Sequence, residues 1–380
     1  MINNSFSSRA ISVAFLIIAV TLALLAGRSF QAMHEPKSIY PGSGITDEFD
    51  LHRYNKNLKG TPGDTSVYVL EGEKPGGTAL IVGGTHPDEP AGFLTTVVLL
   101  ENLKVEKGTL LIIPRANKSG FTHNSPLKGY PQYFRFTSKG KEREFRFGSR
   151  LSNPVHQWPD PTVSINPAGL KLAGFGARNL NRCYPGDKDG SLTEKVAWAI
   201  MELIRERDVD VAIDLHESSP EYPVTKALVA HPNSLDLASM AKFSIMSQGV
   251  DLKLERSPAS LGGLSHREWG DHTSTKAFLI ESPNPIQGRM RGRTDVSLLK
   301  EGRDKFYRQA ADEGSLFVEF GSEGWPIEKR IGIHTSTIRA IIEAYSNINP
   351  SNSFSLEGIP SYEEVSREGV SAYLRYSTSA

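Results

Sequence analysis

The feature that most restricts the fold is an alternation of apolar runs of strand length with stretches of helical period. The strand-like runs are TSVYVLEG (65–72), TALIVGG (78–84), GTLLIIPRAN (108–117), VDVAIDLHE (209–217), KALVAH (226–231), KAFLIES (276–282) and GSLFVEFG (314–321). Helical patterns cover 89–103, 193–208, 235–248, 298–313 and 335–346. A strand that is apolar almost throughout, rather than at every second residue, has to be covered on both faces, and the intervening helices supply the cover. The expectation is an α/β sheet with helices on both sides, and Met240, Met246 and the aromatics at helical spacing read as core. Residues 118–192 break the rhythm. They are rich in Gly, Pro, Asn, Arg and aromatics with little periodicity, and so long an irregular stretch in a compact domain reads as loops over a site.

Composition narrows the function. Hydrophobic content of 38% and charged content of 23% over 380 residues fit a globular protein with a large core. Lys plus Arg equals Asp plus Glu, 43 against 43, so net charge gives no reason to expect nucleic acid as a partner. The basic cluster QGRMRGR (287–293) has no interleaved aromatics and reads as a solvated loop. Cys183 is the single cysteine, which excludes an intrachain disulfide and a Cys-based zinc site. It reads as a small packed thiol. At the N-terminus, MINNSFSSR precedes the almost wholly apolar AISVAFLIIAVTLALLAG (10–27), which reads as a signal peptide or membrane anchor. The expected organisation is a leader over 1–32, a linker over 33–47, one main domain over 48–347 with its loop region at 118–192, and a tail over 348–380. The domain is expected to be exported to a periplasmic or other extracytoplasmic space, touching the membrane only through the leader.

In open α/β sheets, sites form beyond the C-terminal ends of the strands. His86 and Glu89 follow the end of TALIVGG, His216 ends VDVAIDLH, and Glu281 closes KAFLIE. Three separate strands therefore deliver polar groups to one edge. An H-x-x-E pair alone is a weak signal, and a turn with an acidic helix start explains it equally well. Together with a distant His it supplies three ligands for a catalytic zinc, leaving a fourth position for water. Glu281 is free to move that water's protons. Asp214, two residues before His216 on the same strand, reads either as a residue that orients an imidazole or as a structural one.

HPDE (86–89), NLNRCYPG (179–186), IDLHES (213–218) and LIESPNP (279–285), in that order, resemble the zinc carboxypeptidase superfamily. They are most similar to its succinylglutamate desuccinylase/aspartoacylase-type deacylase branch. The resemblance spans roughly residues 65–345, carried by these four blocks. It implies one three-layer α/β/α sandwich on a mixed, mostly parallel sheet, with one zinc per chain held by His86, Glu89 and His216. It further implies that Asn181 and Arg182 bind a substrate carboxylate and that Glu281 is the general base. An arginine that polarises the scissile carbonyl is matched by Arg150 or by Arg178, with Arg150 favoured. A planar guanidinium suits a carboxylate because its fork makes two parallel hydrogen bonds.

Two departures bear on substrate. Pro87 stands where a small residue is usual, which a loop-to-helix junction tolerates. No tyrosine lies between Tyr222 and Glu281, where the carboxypeptidases carry one, and this favours the deacylase branch. His266 and His272 read as packed or surface histidines. The expected function is hydrolysis of an amide bond next to a free carboxylate in a small molecule or short peptide, as by an N-acyl-amino-acid deacylase. The alternatives are a metallocarboxypeptidase acting on peptides, cell-wall peptides included, and a membrane-anchored binding module without chemistry.

Overall fold

The computed structural model describes residues 3–37, 39–125 and 128–376. The chain divides into two compact units, Met1–Lys37 and Ser38–Ala380. The first is one helix, α1 (Asn3–Ala32). Its stretch Ser8–Ala32 has mean hydropathy 2.6 with none of it buried, and is long and apolar enough to cross a membrane.

The second unit begins with strands β1 (Asp47–Asp50), β2 (Ser66–Glu71) and β3 (Lys74–Val82), helix α2 (Pro90–Asn102) and strand β4 (Lys104–Ile113). Two hairpins follow in the irregular stretch, β5 (Tyr133–Ser138) with β6 (Lys141–Arg146) and β7 (Val163–Ile165) with β8 (Lys171–Ala173). Next come α3 (Leu192–Glu206), β9 (Val211–Ser218), β10 (Ala227–Ala230), α4 (Leu235–Met246), β11 (Lys253–Arg256), α5 (Ser265–His272) and β12 (Lys276–Pro283). The chain closes with α6 (Val296–Glu301), α7 (Lys305–Asp312), α8 (Ile327–Ile348), β13 (Ser355–Glu357) and α9 (Tyr362–Glu368).

One mixed sheet organises the unit, in the order β1-β2-β4-β3-β9-β12-β10-β11, with β13 also paired to β4. Its four central strands, β4, β3, β9 and β12, are parallel. Ile81, Ile213, Leu215 and Ile280 point to one face, where they pack with residues of α2, α4 and α8. Leu80, Val82, Ala212 and Ala277 point to the other, against α3 and Trp269 of α5. This is the expected α/β/α sandwich on a mixed, mostly parallel sheet. The parallel strands are apolar on both sides because helices cover both sides.

Three sequence readings need correction. Residues 314–321 form no strand: Phe317 is exposed, and Phe320 packs beside Tyr307 with ring centres 5.2 Å apart. A short apolar run becomes a strand only where a neighbour offers a ladder, and this segment lies off the sheet. The helical pattern at 298–313 is two helices, broken where Gly302 takes a left-handed conformation (φ 65°) and Asp304 caps α7. Met240 and Met246 are not core; with Phe243 (74% exposed) they lie outward, while α4 buries Leu237, Ala238, Ala241 and Ile245.

Candidate metal centre and active site

The turn after β3 is built to deliver His86 and Glu89. Gly84 has φ 65°, and a Cβ there would lie 2.8 Å from the Pro114 carbonyl, so glycine alone fits. Thr85 donates its hydroxyl to Asp214 Oδ1 at 2.8 Å, pinning the turn to β9. Glu89 is the N-cap of α2, with Pro90 in the first helical position. Its carboxylate makes no cap hydrogen bond and faces the site instead. α2 approaches β9 so closely that a Cβ on Gly92 would sit 2.5 Å from the Leu215 carbonyl.

His86, Glu89 and His216 are all buried and bring one ligand atom each within 4.8 Å of the others. His86 Nδ1 lies 2.8 Å from Glu89 Oε1; His216 Nδ1 lies 3.0 Å from Glu89 Oε2 and 3.2 Å from His86 Nδ1. Two imidazole nitrogens turned toward each other and toward one carboxylate converge on a point suited to a cation.

The far nitrogens fix the tautomers. Asn179 Oδ1 accepts the backbone N–H of Asn181 at 3.0 Å, which identifies that atom as the amide oxygen. The same oxygen lies 2.9 Å from His86 Nε2, so Nε2 carries the proton and Nδ1 keeps its lone pair. On His216, Asp214 Oδ2 stands 2.9 Å from Nε2, as an ion pair off the line of the N–H rather than an aligned hydrogen bond. With Nε2 turned to Asp214, Nδ1 is the nitrogen that faces Glu89. Asp214 is held by Thr85 and by the Ser265 hydroxyl.

The electrostatics also call for a cation. Burial alone would lower the pKa of His216, but Asp214 and Glu89 hold it well above the usual imidazole range. Burial would raise Glu89, yet His86 and His216 hold it well below the ordinary carboxylate range. His86 goes the other way, lowered by burial first and by Arg150 and His216, so the favoured positive charge lies on the side of His216 and Glu89. With two imidazoles and one carboxylate, the donor set fits zinc.

β12 runs parallel to β9, in a register that sets Glu281 directly beside His216. Its Oε2 is buried without a hydrogen-bond partner among the described residues. Burial, and next the charge of Glu89, push its pKa up to about 8.

The two arginines left open by sequence part company. Arg150 Nη2 is 2.6 Å from Glu89 Oε1 and its Nε is 3.5 Å from Asp88 Oδ2, at the ligand set. Arg178 is engaged elsewhere, forked onto Asp160 at 2.7 and 2.9 Å with Nη1 on the Ser152 carbonyl. Asn181 is buried and accepts the Ser265 N–H through Oδ1. Arg182 is half-buried; burial and then Arg150 lower its pKa, while Tyr222, Glu281 and Glu89 act oppositely. Its guanidinium therefore lies in the field of the other site groups.

Sequence reasoning passed over Asn179 and Gln287. Asn179 opens the NLNRCYPG block, but no role was read for it. Gln287 Nε2 reaches Glu89 Oε1, and Arg150 Nη2 reaches Gln287 Oε1, each at 3.4 Å. His266 is buried, and His272 is half-exposed against Glu268. Cys183 is buried, and burial pushes its thiol pKa well up. A second grouping, Asp50, His52 and Asp64, is satisfied internally: His52 uses its N–H and its Nδ1 on Asp64, and Asp50 takes the Ser66 hydroxyl.

Comparisons with known proteins fall on deacylases and carboxypeptidases. No protein-family model matches the chain. An N-alpha-acetyl-L-2,4-diaminobutyric acid deacetylase from Halomonas elongata is 26% identical over 165 residues, which is 43% of this chain and 34% of that protein. The chain therefore spans about a third of the length of the curated relative it matches. Among solved structures, a succinylglutamate desuccinylase/aspartoacylase from Rhodobacter sphaeroides is similar at 17% identity and a TM-score of 0.37, over 60% of this chain and 53% of that one. A metallo-carboxypeptidase from Burkholderia cenocepacia is similar at 14% identity and a TM-score of 0.45, over 84% of this chain and 68% of that one. The proteins that this chain resembles are hydrolases.

Proposed function

We propose that the protein is a zinc-dependent amidohydrolase cleaving an amide bond next to a free carboxylate, with an N-acyl amino acid as the substrate class. The observation that carries this reading is the pairing of Glu281 with His216 across parallel strands, beside His86 and Glu89. A pure binding site has no use for a carboxyl with one oxygen unpartnered among the described residues and a pKa raised to about 8 at that position.

His86 Nδ1, Glu89 and His216 Nδ1 would hold one zinc. Zinc supplies a Lewis acid for the carbonyl and a lowered pKa for a water. Glu281 takes the proton of the attacking water and returns it to the leaving amine, as one positioned acid–base group can do in both steps. Arg150, held at the ligand set by Asp88 and Glu89, offers its guanidinium to the developing oxyanion. Arg182 and Asn181 Nδ2 take the free carboxylate and so orient the amide. Arg178, occupied by Asp160, serves to brace the loop.

The test is zinc content and turnover of the wild type beside Glu281→Gln, with N-acetyl amino acids and short peptides as substrates. The expected result is about one zinc per chain in both proteins, with turnover lowered by roughly 10²–10⁴-fold in the variant. Retained turnover would remove Glu281 from the chemistry. Cleavage of peptides in preference to N-acyl amino acids would make the enzyme a carboxypeptidase.

A further inference from the structure

Beneath the ligand set lies an ion pair with no part in the chemistry above. Glu217 and Arg330 are both fully buried, with Arg330 Nε 2.6 Å from Glu217 Oε1. A buried pair of this kind does not as a rule outdo well-packed apolar residues in stability, so its contacts decide what it is for. Those contacts close on Glu89. The backbone N–H of Glu217 donates to Glu89 Oε2 at 3.0 Å. Glu217 Oε2 accepts the N–H of Ala91, two residues beyond Glu89, at 2.7 Å. Arg330 donates to the Leu299 carbonyl at 2.7 Å and reaches Asn284 Oδ1 at 3.4 Å. Asn284 in turn donates through Nδ2 to the carbonyl of Asp88 at 3.3 Å. The carboxylate of Glu89 and the backbone on both sides of it are thus gripped by one network whose far end is α8. One turn further along α8, His334 Nε2 stands 2.9 Å from the carbonyl of His216.

We infer that Glu217 and Arg330 are positioning residues, which set the geometry of Glu89 as a metal ligand from helix α8. The inference rests on the proposed zinc site. Glu89 sits at a helix start where its own side chain does no capping, so its placement rests on contacts from elsewhere: His86, Arg150 and Gln287 on Oε1, and His216 with the Glu217 backbone N–H on Oε2. A charged pair with directional hydrogen bonds specifies one arrangement, where apolar packing would allow several.

The test is zinc affinity, by competition with a chelator, beside the melting temperature of the metal-free protein. The double variant Glu217→Gln/Arg330→Met removes both charges while keeping an amide oxygen for the Ala91 N–H. Its metal-free melting temperature should stay within a few degrees of wild type while zinc binds about 10–100-fold more weakly, as for lost supports behind a ligand. Arg330→Lys, which keeps the charge and loses the fork, should fall between. Unchanged zinc affinity with a lowered melting temperature would overturn the inference and leave the pair a structural element. If the double variant fails to fold, Asn284→Ala decides, since it cuts only the bridge to Asp88: weaker zinc supports the inference and unchanged zinc overturns it. Failure of the wild type itself to bind zinc would overturn the zinc site, and the inference with it.

Discussion

Glu281 shows at the scale of one residue how position sets chemistry. An ordinary glutamate is ionised at neutral pH, but burial beside Glu89 pushes this one up to about 8. His216 and Arg150 pull in the other direction, and a bound cation adds to their effect. A general base works only when deprotonated. The expected kcat/KM therefore rises with pH through an ionisation lying above the usual carboxylate range and below about 8. A pH–rate profile checks this, and a rate flat from pH 5 to 8 would contradict it. Arg182 carries a second prediction. Arg182→Ala should lower kcat/KM for substrates with a free carboxylate by roughly 10-fold or more, since charged hydrogen bonds of this kind contribute about 1.5–3 kcal/mol. The methyl esters should be nearly unaffected, and equal losses on acid and ester would place the carboxylate elsewhere.

Among the elements, α2 carries the tightest demand. It begins on a ligand, with Glu89 as its N-cap, and crosses β9 at Gly92 with no room for a side chain. Its residues from Pro90 to Glu101 are buried, so it has no solvent side along which to slide. Gly92→Ala should push α2 away from β9 at an overpacking cost of about 1–3 kcal/mol, read as a lower urea midpoint. It should weaken zinc binding as well, because Glu89 moves with the helix while His216 stays with the strand. A loss of stability with full zinc affinity would show that the turn at 83–89 absorbs the shift. The hairpins β5–β6 and β7–β8 explain why residues 118–192 lack period: their strands are three to six residues long, too short to build one.

At the scale of the whole molecule, the catalytic reading belongs to Ser38–Ala380, which contains every residue of the site and three apolar clusters of its own. Met1–Lys37 is a separate unit whose helix is exposed throughout its apolar stretch. Removing residues 1–37 should leave zinc content and turnover at wild-type values; a shift from the membrane fraction to the soluble one would mark α1 as an anchor, and a wild type already soluble would mark it as a signal peptide. Fractionation followed by assay checks both halves, and loss of zinc on truncation would tie α1 to the folding of the domain.

Sequence alone was sufficient for the central strands of the sheet and for their ends, though not for its short outer strands β1, β11 and β13. Apolar runs buried on both faces have few other places to go, and the residues that end them must emerge at one edge. That was enough to bring forward His86, Glu89, His216 and Glu281. Whatever depends on contacts between distant parts of the chain was settled only by the fold. Arg150 and Arg178 look alike in sequence, and only the fold sets one on Glu89 and the other on Asp160. Residues 314–321 have the composition of a strand but find no neighbour to pair with. Asn179 and Arg330 lie 93 and 113 residues from the partners they hold, His86 and Glu217. No period or spacing encodes such a contact, because it comes into being only when the sheet closes and the helices dock.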